Sequence, residues 1–191
     1  IYPEYVGKVI VRPHSMAHFR HQAVSVDLSK PLHIGIVGSI GWQKGWNIVR
    51  QLCEEIDTRH LPYHVTVIGA LVPDFSAGCL KVTGRYERTA LASTIEQSGA
   101  NIFLFPSIWP ETFSYVAHEL MACGVPLCCF NLGAPAEAVA NLDQTHKRLF
   151  GLISLHVKFL QFPQEFSEIT ISNGFGSRLT SPKCKEVQLR R

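Results

Sequence analysis

Charge is scarce in this chain. Of its 191 residues, 17% are Asp, Glu, Lys or Arg, against roughly 25% in an average globular protein. Glycine and proline show no excess, at 14 and 11 residues, below the share of about a quarter or more that marks low-complexity chains. With 46% hydrophobic residues, wholesale disorder is excluded, and the length fits one ordinary domain or a little more. A long apolar run is missing too. Nothing approaches the roughly 18 residues of a membrane-span candidate, because His156 and Lys158 interrupt the stretch from Phe150 to Phe162. No secretory leader pattern opens the chain. The six cysteines (53, 79, 123, 128, 129 and 184) include no pair spaced two residues apart. Five lie in or beside apolar segments, where a thiol behaves as a small hydrophobe. A reducing, cytoplasmic location is the expectation.

The net charge of +3 is misleading. Residues 172–191 hold Arg178, Lys183, Lys185, Arg190 and Arg191 against Glu186, so this tail is +4 and the rest of the chain −1. A nucleic-acid-binding face needs cations clustered on the folded body. No nucleic-acid partner is expected.

Periodicity becomes clear at Leu32. His33–Val37 reads as a strand stopping at Gly38. Trp46, Val49, Leu52, Cys53 and Ile56 recur at helical spacing. His64–Ile68 and Leu80–Thr83 read as strands ended by glycine, and residues 88–98 as a helix stopping at Gly99. Asn101–Phe105 is an apolar strand closed by Pro106. Phe113 to Cys123 carries a helix that Gly124 can cap, Leu127–Phe130 is the next strand, and Pro135 opens a short helix. Strands apolar on both faces, alternating with helices, predict a doubly wound parallel α/β sheet of Rossmann-like type. We expect this domain over 32–149, with clear rhythm to about 141. Residues 1–31 read as an interdomain linker or remnant, and the initial Ile suggests a piece of a longer chain. The segment 150–191 carries no convincing element, and 172–191 is expected to be mobile.

In such a sheet ligands bind beyond the carboxyl ends of the strands. The first loop there, Gly38-Ser39-Ile40-Gly41-Trp42-Gln43-Lys44-Gly45, combines glycines with a cation before a helix, which suits phosphate. It is neither a Walker loop nor a dinucleotide fingerprint, and a tight turn with a solvated Lys is the bland alternative. The second loop, Pro106 to Tyr115, places Glu111 just before a helix and Glu119 about one and a half turns inside it. Glu111 could simply complement the helix dipole. Glu119 fits that account less well, since it lies beyond the first turn beside the apolar stripe. A carboxylate there can accept two hydroxyl hydrogen bonds, as a ribose would offer, while amides near Ser114 and Tyr115 could hold a diphosphate. The loops Leu132–Glu137 and Gly84-Arg85-Tyr86 are weaker sites that plain turns or solvation also explain.

Residues 34–45, 83–86 and 105–137 resemble the C-terminal, nucleotide-sugar-binding half of GT-B glycosyltransferases of family 4 (group 1). The run PSIWPETFSYVAHELMACGVPLCCFNLGAPAE carries the likeness, with Glu111 and Glu119 as the two glutamates separated by seven residues. The resemblance implies that Lys44 neutralises a donor diphosphate and that Glu111 faces the donor sugar. It implies that Glu119 binds the ribose, with Gly38, Ser39 and the amides of Phe113, Ser114 and Tyr115 around the donor. Gly84 and Arg85 would lie near the nucleobase. Implied too are a donor such as a UDP- or GDP-sugar, no separate cofactor or bound metal, retention of configuration, and a role in surface polysaccharide or glycolipid synthesis. The acceptor, carbohydrate or lipid-linked, would be held by an N-terminal domain this sequence lacks, and a lipid-linked one would bring the chain to a membrane surface. The chain departs from the family at Ser39, where many relatives carry Arg. A degenerate nucleotide-binding module and a sugar-nucleotide epimerase are the alternatives. His14, His18 and His21 could share a helix face suited to zinc, but no nearby acid supports them, and Arg12 and Arg20 oppose a cation. Trp42, Trp46 and Trp109 are expected to pack.

Overall fold

The computed structural model describes residues 7–8, 10, 14–17, 19 and 22–140, together with the backbone of 169–173 and 177–179. The elements run β1 (His33–Ile40), α1 (Trp46–Thr58), β2 (His64–Leu71), β3 (Leu80–Val82), a 3-10 turn (Arg88–Ala90), α2 (Leu91–Ser98), β4 (Ile102–Phe105), α3 (Tyr115–Ala122), β5 (Leu127–Phe130), α4 (Gly133–Ala140), β6 (Ile169–Asn173) and β7 (Ser177–Leu179). One sheet contains all the strands, in the order β3-β2-β1-β4-β5-β6-β7. The first five are parallel, and β6 and β7 continue the sheet antiparallel. The expected doubly wound, Rossmann-like α/β sheet is present.

Two apolar layers hold it, one on each face. Side chains alternate along the strands, as the pleat dictates. Val37, Ile68, Phe103 and Leu127 join Leu91, Ile95 and Leu120 of α2 and α3 on one side. Ile36, Val67, Leu104 and Cys128 meet Val49, Leu52 and Ile56 of α1 on the other. The strands are therefore apolar at successive positions because both faces are covered. Among the described residues, no helix is long and apolar enough to cross a membrane.

Three details differ from the sequence expectation. Strands β1 and β2 do not stop at Gly38 and Gly69 but run on to Ile40 and Leu71, with the two glycines paired in register. Both have positive φ, and a Cβ on Gly69 would overlap the Gly38 carbonyl. Glycine here permits close strand contact instead of ending it. Second, residues before β1 are tied to the domain. The buried Asn101 donates through Nδ2 to the carbonyls of Asp27 (3.2 Å) and Pro31 (3.1 Å) and accepts from the His33 amide. The Val24 amide donates to the Cys123 carbonyl at 2.8 Å. Third, β6 and β7 lie in the segment expected to carry no element. The expected mobility of 172–191 falls mostly outside the described residues.

Candidate functional site

The strand order reverses direction between β1 and β4, since the chain leaves β3 at one edge and returns on the far side of β1. In open α/β sheets that switch point leaves a crevice at the carboxyl ends of the two strands. The loops after β1 and β4 meet there. The Gln43 carbonyl accepts from the Ile108 amide at 3.2 Å, and Ser107 Oγ lies 3.4 Å from it. Gly45, at φ 85°, packs so closely that a Cβ would overlap the Pro106 carbonyl. Within the first loop, the amides of Lys44 and Trp46 donate to the Gly41 carbonyl and that of Gly45 to Trp42. Those three amides are thus engaged inside the turn, and Lys44 is the cation this loop offers to an anion.

Lys44 and Glu111, 67 residues apart in sequence, form an ion pair with Nζ 2.7 Å from Oε1. The lysine side chain is 49% exposed and the glutamate 11%. Ser107 donates to the same carboxylate oxygen at 3.0 Å. The ammonium thus keeps room for a second anion, while the carboxylate is fixed beneath it. Gly38, Ser39, Lys44, Pro106, Ser107 and Val116 line the cleft beside the pair. Its cavity volume of about 70 Å³ is far below the roughly 300–1,000 Å³ of a typical small-molecule pocket.

Glu119 is 1% exposed on α3, and Arg88 Nε stands 3.2 Å from its Oε1. Burying an ionised carboxylate is costly unless a cation and hydrogen bonds compensate it, so the guanidinium belongs to the same unit. Arg88 is 57% exposed and also lies over the Tyr115 ring, 5.6 Å from its centroid. Tyr86 leans on the same core; burial first, then the Glu119 charge, pushes its hydroxyl above the usual range. The sequence reading singled out Arg85 from this loop and missed Arg88. Arg85 is exposed after β3, and Gly84, at φ 80°, has open space around it. A single cation on a short turn leaves no pattern in sequence; only the fold shows its contact with Glu119.

At the start of α3, Ser114 caps the helix, with its Oγ accepting from the Ala117 amide at 3.3 Å. His118 Nδ1 donates to the Ser114 carbonyl at 2.7 Å, and its ring stacks on Phe113 with centroids 4.3 Å apart. His14 sits 4.7 Å from Phe113 and 3.3 Å from the Tyr115 hydroxyl. His18 and His21, the other members of the suggested zinc triplet, lie outside the described residues. Among the described residues, no three His, Cys, Asp or Glu side chains gather as a metal site. The five described thiols are buried and unbridged. Burial raises Cys79 and Cys123 to about 11 and Cys129 to about 12. Burial thus keeps these thiols protonated, the opposite of an activated nucleophile.

Structural comparison finds similarity to the lipopolysaccharide outer core galactosyltransferase WaaB in its apo form, at 18% identity and TM-score 0.47, covering 69% of this chain and 38% of that one. A glycosyltransferase from Rickettsia africae ESF-5 is similar at 15% identity and TM-score 0.46, covering 68% and 37%. The chain thus spans under two fifths of either protein's length. No curated protein sequence matches it. The family model for glycosyl transferases group 1 matches residues 21–150, which include both loops and both glutamates. By that match, across more than half its length, the chain belongs to the group 1 glycosyl transferases.

Proposed function

We propose that the chain is the donor-binding half of a GT-B glycosyltransferase, holding a nucleoside-diphosphate sugar for transfer to an acceptor with retention of configuration. The observation that carries this reading is the Lys44–Glu111 pair at the β1/β4 switch point. It joins a cation suited to a diphosphate to a carboxylate suited to a sugar, with a second, buried carboxylate on the adjoining helix. Lys44 meets the charge that develops on the departing diphosphate, a form of electrostatic stabilisation that counts for much in catalysis. Glu111, held by Ser107, faces the sugar. Glu119 takes the ribose hydroxyls, and the start of α3 at Phe113, Ser114 and Tyr115 receives the phosphates. Gly38 and Ser39 let the donor approach the strand end, while Gly84 and Arg85 border the base. The donor half supplies one wall, and a second domain carrying the acceptor supplies the other. Synthesis of a cell-surface polysaccharide or glycolipid in the cytoplasm is the role we assign.

The test is calorimetry of the chain with UDP, GDP and dTDP, with and without an attached sugar. We expect weak binding of one of them and little or no transfer by this chain alone. A folded sample that binds none of the three refutes the donor site.

A further inference from the structure

We propose that Arg88 is a positioning residue for ribose recognition: its guanidinium holds Glu119 charged and oriented beneath the strand ends so that the carboxylate can accept the 2′- and 3′-hydroxyls of a nucleotide. The proposal rests on the reading of Glu119 as the ribose acceptor. Arg88 comes from outside the two loops that define the donor site. It reaches across from the 3-10 turn before α2, and its Nε stands 3.2 Å from Glu119 Oε1. The exposures are unequal in a telling way. Glu119 is 1% exposed and Arg88 57%, so the pair joins a buried carboxylate to a cation that reaches solvent. Tyr115 braces the arginine from below, with the guanidinium 5.6 Å from its ring centroid, and a cation over an aromatic face is held there electrostatically.

The groups facing Glu119 among the described residues divide by sign. Arg88 is its cation. Tyr86, in the loop leading to the turn, and Cys123, one turn on from Glu119, are both raised by burial first and then by its negative charge. Neither can neutralise a carboxylate at neutral pH. Burial favours the protonated acid, and a nearby cation favours the carboxylate, so Arg88 works towards the charged form. A protonated Glu119 would have one acceptor oxygen fewer for a diol, which needs two.

The ratio of affinities for a ribonucleoside diphosphate and its 2′-deoxy counterpart isolates this contact, because the titration of the diphosphate cancels. Calorimetry with UDP and dUDP, GDP and dGDP, and ADP and dADP from pH 5.5 to 8.5 would measure it for the parent, Arg88→Met, Arg88→Lys and Glu119→Gln. We expect the parent to prefer ribose throughout. Arg88→Met should keep the preference at pH 8.5 and lose it, by tenfold or more, by pH 6. Arg88→Lys should restore the parent profile, and Glu119→Gln should show a small ratio at every pH. If the Met variant does not fold, Arg88→Gln replaces it, with folding checked by circular dichroism. A folded variant whose profile superimposes on the parent's, or which weakens both sugars equally at every pH, overturns the role of Arg88 alone. A parent that binds nucleotides without distinguishing the two sugars overturns the ribose reading of Glu119, and the positioning role with it.

Discussion

Lys44 and Glu111 neutralise one another at 2.7 Å while the lysine stays half exposed. Part of the lysine charge is therefore spent within the protein. Such a partly exposed pair contributes roughly 0–1 kcal/mol. Glu111→Gln should thus leave nucleoside-diphosphate affinity unchanged or raise it up to about fivefold, while Lys44→Met weakens it; calorimetry distinguishes the two directions. Glu119→Gln should lower nucleotide affinity roughly tenfold to a hundredfold, because charged hydrogen bonds contribute about 1.5–3 kcal/mol. Unchanged binding in a folded Glu119→Gln protein would remove this residue from the site. His33 carries a different, pH-linked effect. Its Nε2 lies 2.8 Å from Thr66 Oγ1, and burial, with His64 and Lys81 adding to it, holds its imidazole below the usual value of 6.5. The unfolded chain then takes up the proton first, so the stabilisation is complete above about pH 6.5 and is lost as pH falls through the folded value. Melting temperature should drop as pH falls below about 6.5, with a flatter slope in His33→Gln; identical slopes would assign the effect to other groups. The placing of Lys44 and Glu111 in loops after strands was legible, because each stands between an apolar strand and a helix, whereas Arg88 and Asn101 act through contacts that sequence does not encode locally.

The meeting of the loops after β1 and β4 depends on Gly45. Its φ of 85° costs an L-residue about 1–2 kcal/mol, and a side chain would also overlap the Pro106 carbonyl. Gly45→Ala should therefore lower stability by about 2 kcal/mol or more, read from the urea midpoint, and separate Lys44 from Glu111. A variant with parental stability would show that the two loops are not locked together. The same reasoning explains what sequence could and could not reveal about the elements. Strands β4 and β5 (IFLF and LCCF) are apolar throughout, so their double-sided burial was legible. The overrun of β1 was not, because its continuation depends on Gly38 facing Gly69 on the neighbouring strand. Strand β6 has the sequence ITISN, two apolar residues alternating with polar ones. That is too short a pattern to stand out until β5 supplies a partner.

Across the whole molecule, the antiparallel β6 covers the open side of β5, whose four residues are all buried. Ending the chain at residue 150 would uncover that row of backbone donors and acceptors, and an unprotected apolar edge invites pairing with another copy. Such a truncated chain should self-associate more than the full one in light scattering; equal behaviour would show that β6 does not protect the edge. The protein also carries an internal optical probe. Of its three tryptophans, Trp42 and Trp109 stand in the loops after β1 and β4, and Trp46 opens α1. Trp42 and Trp109 are 56% and 57% exposed, while Trp46 is buried against Trp42 and Phe75. Among the nucleotides offered, the true ligand should shift or quench the near-ultraviolet emission, with little background from tryptophan elsewhere. The buried indole emits towards the blue and the two exposed ones towards the red, so the spectrum itself would report whether the ligand perturbs the buried indole or the exposed pair.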